Sequence, residues 1–202
     1  MTPFYRRFCT FQRALFTPLY GFDVIGREKV PSQGRLIVVS NHISWMDPLV
    51  LGAALIERQI FFMAKKELFD KPFVGKFIER LDAFPVDRGS SDRKSLRHAL
   101  SLLDDEKIVG IYPEGTRTES GSMREWQPGV ALLAAKSRAP IVPVAIFETR
   151  EIFEGRRGWP TGRPLRVVFG DPIPTPETRS EQKDIVDRSF AAVAALLQEH
   201  GP

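Results

Sequence analysis

Seven short apolar runs, separated by stretches of helical periodicity, constrain this chain more than any other feature. They fall at Phe22–Gly26, Arg35–Ser40, Ile60–Ala64, Ala83–Val86, Ile108–Tyr112, Ile141–Phe147 and Leu165–Phe169. Helical patterns stand at Pro48–Glu57, Phe73–Leu81, Asp92–Leu103, Gly129–Ser137 and roughly Glu177–Glu199. Alternation of this kind reads as an α/β fold, with a mixed, largely parallel sheet of about seven strands flanked by helices. At 202 residues the chain suits one domain with a real core. It contains no internal repeat, low-complexity tract or interdomain linker.

The first 20 residues form a separate problem. Phe4, Phe8, Phe11, Leu15 and Leu19 recur at helical spacing, with Arg6, Thr10, Arg13 and Thr17 opposite, and Pro18 is expected to end or kink the helix. Arg6-Arg7 has the look of a twin-arginine export signal, but Gln12 and Arg13 interrupt its apolar region, so a cytoplasmic location is the default. No apolar stretch approaches the ~20 residues needed to span a bilayer. The helix therefore either lies on a membrane, with Arg6, Arg7 and Arg13 toward anionic headgroups, or packs on the core. At the other end, Thr175-Pro176-Glu177 and a capping-box pattern from Thr178 to Glu181 start the last helix, whose stripe of Val186, Phe190, Val193 and Leu197 is core. The Arg-, Gly- and Pro-rich segment Arg150–Arg166, with Trp159, reads as an excursion from the fold.

Charge and rare residues narrow the chemistry. Lysine plus arginine number 29 against 25 acids, a net charge of +4, which admits anionic lipid, phosphorylated small molecules and nucleic acid as partners. Against a nucleic-acid or other non-catalytic basic module, the aromatics follow core periodicity and build no stacking platform. Cys9 is the single cysteine, which excludes an internal disulfide and a cysteine metal cage. His98 lies on the polar side of its helix and His200 near the terminus, so His42 has no second histidine or cysteine beside it and a metal site is not expected.

Four polar clusters follow four of the expected strands: Asn41–Asp47, Lys65-Lys66-Glu67, Asp87-Arg88 and Glu114–Arg117. Ligand crevices in open α/β sheets lie outside the carboxyl ends of strands, so one shared site is expected there. Asp47, ahead of Pro48, suits a helix N-cap, and equally an acid that orients His42; the two roles are compatible. The stretch Gly110–Thr116 has P-loop spacing but no lysine after its second glycine, and no G-x-S-x-G elbow is present. What remains is a histidine–aspartate pair among Lys65, Arg88 and Arg117. That set suits activation of a hydroxyl on a phosphate-bearing substrate.

At these residues the chain resembles the glycerolipid acyltransferases, the 1-acylglycerol-3-phosphate O-acyltransferase family. "NHISWMD" is similar to the family's N-H-x-x-x-x-D block, "FPVDRG" to its second block, "YPEGTR" to the usual F-P-E-G-T-R with Tyr112 for Phe, and "IVPVAI" to the fourth. "MAKKELF" resembles the lysine-bearing segment between the first two. The resemblance implies a glycerol-3-phosphate acyltransferase-like fold over residues 21–202, with residues 1–20 as an amphipathic membrane-interface helix. It implies transfer of a fatty acyl group from acyl-CoA or acyl carrier protein to lysophosphatidic acid, giving phosphatidic acid, with no metal, cofactor or covalent enzyme intermediate. His42 is then the general base and Asp47 its orienter, while Lys65, Arg88, Glu114, Gly115, Thr116 and Arg117 bind the acceptor phosphate. Val142 and Pro143 are acyl-pocket wall or plain core. Several relatives carry spanning helices, and the departure here makes the N-terminal helix the expected peripheral anchor. The same chemistry on glycerol 3-phosphate, a lyso-aminolipid or another lysophospholipid is the nearest alternative.

Overall fold

The computed structural model describes residues 1–87, 92–118, 123–124, 126–127, 129–155, 163–175 and 179–201, with backbone only at 179–183. In chain order these form α1 (Pro3–Tyr20), β1 (Asp23–Ile25), β2 (Leu36–Ser40), α2 (Asp47–Ala54), β3 (Ile60–Lys65), α3 (Pro72–Arg80), β4 (Phe84–Val86), α4 (Arg93–Asp104), β5 (Ile108–Ile111), α5 (Gly129–Ser137), β6 (Ile141–Phe147), α6 (Thr149–Phe153), β7 (Arg166–Phe169) and α7 (Arg179–His200). All seven expected strands and the five interior and C-terminal helices are present. The helical start signals at 176–178 and the segment around Trp159 lie outside the described residues.

The sheet order is β1-β7-β6-β2-β5-β3-β4, and every neighbouring pair is parallel except β6 with β7. The central strand β2 is buried along its whole length, as befits a parallel strand covered on both faces. Its alternate residues serve two cores. Leu36 and Val38 face α1 and α2, packed with Phe16, Val50 and Leu51, whereas Ile37 and Val39 face α4, α5 and α7, packed with Leu103, Leu133 and Ile185. The two clusters pin the register of β2, since a one-residue slip would exchange them.

The first helix departs from expectation in two ways. It continues through Pro18 to Tyr20 and closes on Gly21, which is left-handed at φ +58 and donates to Thr17 O at 3.1 Å. Pro18 only forgoes a bond to Ala14 O on the exposed side of the last turns, a small loss there. Its buried face is also different: Tyr5, Cys9, Gln12 and Phe16 point inward, and Phe8 is half-buried against Phe77. Phe4, Phe11, Leu15 and Leu19 remain exposed. The helix thus packs on the core along one face and shows a second apolar stripe to solvent.

A helix absent from the sequence reading, α6, follows β6 directly, within a segment expected to be irregular. Asp92 caps α4 as its position suggests, accepting from Lys94 N and Ser95 N at 3.0 Å each and from Ser95 Oγ at 2.6 Å. These donors, the Ser95 hydroxyl foremost, hold its carboxyl well below the usual range.

Candidate active site

The site grows from the carboxyl end of β2. Asn41 keeps the strand going by side chain: Nδ2 donates to Ile146 O and Oδ1 accepts from Ile146 N, both at 2.9 Å. The amide thus replaces a rung of the β2–β6 ladder, and the backbone is free to turn upward at His42.

Three contacts then fix His42. Its Nδ1 lies 2.8 Å from Asp47 Oδ2, its backbone N–H donates to Glu114 Oε1 at 3.0 Å, and its carbonyl accepts from Thr118 N at 2.8 Å. Tyr112 stacks on the imidazole with centroids 4.2 Å apart, and Phe62 stacks behind Tyr112. With Nδ1 facing a carboxylate, the tautomer with hydrogen on Nδ1 is favoured, and Nε2 is left as the nitrogen for a substrate.

Asp47 is fully buried. Its Oδ2 also accepts from Ile43 N at 2.7 Å and Ser44 N at 2.8 Å, while Oδ1 accepts from Thr149 Oγ1 at 2.5 Å. The expected N-cap is therefore corrected: Asp47 is the first residue of α2, not its cap, and its carboxylate reaches back to the preceding loop. Four donors thus satisfy a carboxylate that has no contact with water. Thr149, at the start of α6, joins the candidate site through this contact, and nothing in the sequence marked it.

Glu114 is likewise turned inward. Oε1 holds His42, and Oε2 accepts from Thr118 Oγ1 and from Arg124 N, the latter at 3.0 Å. A buried carboxylate with these partners anchors the loop from inside, and its charge would repel a phosphate. The same loop is tightened by Gly115 in a left-handed turn (φ +69), with its N–H on Tyr112 O. Thr116 and Arg117 are exposed on the outer side, Arg117 lying 3.7 Å from Glu154. Lys65 is half-exposed at the end of β3, 3.3 Å from Glu67. Arg88 lies outside the described residues. Val142 and Pro143 are buried in β6, paired with Val38 and Val39, away from this surface.

Beside the pair opens an apolar cavity of about 470 Å³ between α1, α2, β3 and α3. Trp45 and Pro48, flanking Asp47, line it, and so does Phe62 from the stack behind His42. Burial pushes the Cys9 thiol up to about 11, so it is a neutral part of the wall. Tyr112 carries a buried hydroxyl with no partner among the described residues, and burial first, then the neighbouring Asp47, pushes its pKa well above the usual phenol value. Among the described residues no group of three His, Cys, Asp or Glu could hold a metal ion.

A family model described as Acyltransferase matches residues 21–147, more than half of the chain. The chain belongs to the acyltransferase family. The acyltransferase is 32% identical to the 1-acyl-sn-glycerol-3-phosphate acyltransferase of Bacillus subtilis over 156 residues, 76% of this chain and 74% of that one. It is 28% identical to the protein of the same name from Streptococcus pneumoniae, covering 85% of this chain and 61% of that one. The beta isoform from Homo sapiens is 29% identical over 92% of this chain and 71% of its own length. The fold matches the crystal structure of the Thermotoga maritima acyltransferase PlsC with a TM-score of 0.74 at 23% identity, over 96% of this chain and 78% of that one. His42, Asp47, Glu114 and Tyr112 all lie within the matched family region.

Proposed function

We propose that this acyltransferase moves a fatty acyl group from an acyl thioester, carried by coenzyme A or acyl carrier protein, to the free hydroxyl of lysophosphatidic acid. The product is phosphatidic acid, a step of phospholipid biosynthesis. The observation that carries the reading is the locked His42–Asp47 pair at the edge of an apolar cavity. A histidine oriented by a buried carboxylate is a general base, and the cavity lies in the size range that buries a ligand chain.

In this mechanism His42 Nε2 accepts the hydroxyl proton as the acceptor oxygen attacks the thioester carbonyl. Asp47 stabilises the imidazolium that forms, and its bonds to Ile43, Ser44 and Thr149 keep it from moving toward that charge. The tetrahedral intermediate then collapses, the carbon–sulfur bond breaks, and the departing sulfur takes the proton back from His42. Arg117, Lys65 and Arg88 hold the acceptor phosphate, with Gly115 and Thr116 shaping the loop. Glu114 acts at one remove, by holding the backbone of His42. The acyl chain enters the cavity, where each buried methylene contributes about 0.8 kcal/mol.

The exposed stripe of α1 lies on the cytoplasmic face of the membrane as a peripheral anchor. Among the described residues no helix is long and apolar enough to cross a membrane. Phe4 shares a surface groove with Phe73, and Phe73, Val74 and Trp45 reach the cavity, so lipid and site meet on one side.

Thiol release from acyl-CoA and from acyl-acyl carrier protein, measured with lysophosphatidic acid, glycerol 3-phosphate and a lyso-aminolipid in turn, tests the reading. Release that depends on lysophosphatidic acid, with phosphatidic acid identified by mass spectrometry, is expected. Release independent of any acceptor, or a preference for the phosphate-free one, contradicts it.

A further inference from the structure

The first turn of α4 carries charge of the wrong sign for a helix. Arg93 and Lys94 open it, Arg97 follows one turn on, and the first turn holds no acid. A helix dipole penalises bases at that end, and Arg93 and Arg97, four residues apart, repel each other. Asp92 at the cap does not pair with them as ions. Its carboxylate is occupied by the amides of Asp87, Lys94 and Ser95 and by the Ser95 hydroxyl. Arg93, Lys94 and Arg97 are exposed, and among the described residues none has an ion-pair partner. Folding alone gives no reason for three cations here.

Together with Lys66 they line a groove of about 1050 Å³ along β4, the edge strand of the sheet. The groove neighbours the apolar cavity, since Ala83 lines both. Lys66 directly follows the carboxyl end of β3, and Asp87 that of β4, so the groove reaches the catalytic edge of the sheet. In the sheet order β4 lies three strand spacings, about 14 Å, from β2, whose end carries His42. An extended phosphopantetheine arm covers that distance. Asp70, Glu79 and Asp87 also line the groove, so anions are held only at the α4 wall. Those carboxylates suit hydroxyl and amino donors instead, such as a ribose and an adenine carry.

We propose that this groove binds the phosphorylated adenosine end of a coenzyme A donor, with Arg93, Lys94 and Arg97 on its phosphates. The inference rests on the proposed reaction, with the thioester at His42 and the acyl chain in the cavity. It deepens that reading by naming the donor: a carrier protein presents the same arm but no nucleotide. The planar forks of Arg93 and Arg97 suit phosphate oxygens, and Lys94 adds a point charge between them.

The test is calorimetry with coenzyme A and with adenosine 3′,5′-bisphosphate, on the wild type and on Arg93→Gln plus Arg97→Gln. The wild type should bind both probes, and the double variant should bind them about tenfold or more weakly, the size that lost hydrogen bonds to charged groups produce. Kinetics supply a second readout. The preference of the wild type for acyl-CoA over acyl-pantetheine, which lacks the nucleotide, should shrink by the same factor in the variant. The KM for lysophosphatidic acid should hold. No binding of either probe to the wild type, equal binding by the variant, or an unchanged donor preference overturns the proposal. So does loss of sedimentation with anionic vesicles at unchanged coenzyme A binding, which would assign these cations to lipid headgroups. If the double variant does not fold, Arg97→Gln alone gives the same comparison with a smaller factor. If the wild type binds coenzyme A but transfers no acyl group, the proposed reaction has failed, and calorimetry still decides about the groove.

Discussion

Asp47 shows how a single side chain can be over-determined. One carboxylate oxygen serves a ring nitrogen and two backbone amides, and the other, among the described residues, is held by Thr149 alone. Thr149→Val keeps the shape and removes that donor, leaving half of a buried charge unpaired. Denaturant melts should show a loss of about 1.5–3 kcal/mol, with turnover lowered, and Thr149→Ser should recover most of both. Tyr112 poses the opposite case, since its stacked ring supports His42 while its hydroxyl has no partner among the described residues. Tyr112→Phe should raise stability by roughly 1 kcal/mol and keep the stack, so turnover should persist. Loss of turnover in Tyr112→Phe at unchanged stability would show that the hydroxyl takes part in the reaction.

Elements explain which parts of this site could be read from sequence. The strands were legible because parallel strands buried on both faces write themselves as short apolar runs, as in Leu36–Ser40 and Ile141–Phe147. His42 and Asp47 were legible because five residues separate them on one loop. Thr149 was not: α6 has only five residues, too few for periodicity, and its partner lies 102 positions earlier. The inward turn of Glu114 was hidden for the same reason, its contact to His42 spanning 72 residues. The buried face of α1 is not legible because a helix with two apolar stripes has no simple polar side. Neighbouring strands also set the stack, since Gly110 of β5 lies under Phe62 of β3. A Cβ at Gly110 would fall 2.4 Å from Phe62 Cε1 and 2.8 Å from Ile60 Cγ2, so the ring stacked on Tyr112 must shift. Gly110→Ala should therefore cost about 1–3 kcal/mol in a denaturant melt and lower kcat through the Phe62–Tyr112–His42 stack. Unchanged kcat would mean that the stack does not govern the base.

At the scale of the whole molecule, the cavity, the His42–Asp47 pair and the exposed apolar stripe lie along one side of the sheet. Phe11 is 64% and Leu15 is 41% exposed, so both can leave water at a bilayer, each contributing up to about 1.5–3 kcal/mol at full burial. Arg13 is already engaged with Ala54 O at 3.4 Å, which leaves Arg6 and Arg7 as the exposed arginines of the helix. Phe11→Asp plus Leu15→Asp should abolish sedimentation with anionic vesicles while the thermal transition stays in place; retained sedimentation would move the membrane contact to Trp45 and Phe73. Activation of a lipid hydroxyl by His42 makes a quantitative demand on turnover at a membrane. Phosphatidic acid formation on vesicles containing lysophosphatidic acid should fall by about 10²–10⁴-fold in His42→Ala, with the fold and vesicle binding intact. Turnover within a few-fold of the wild type in that variant would show that His42 is not the base.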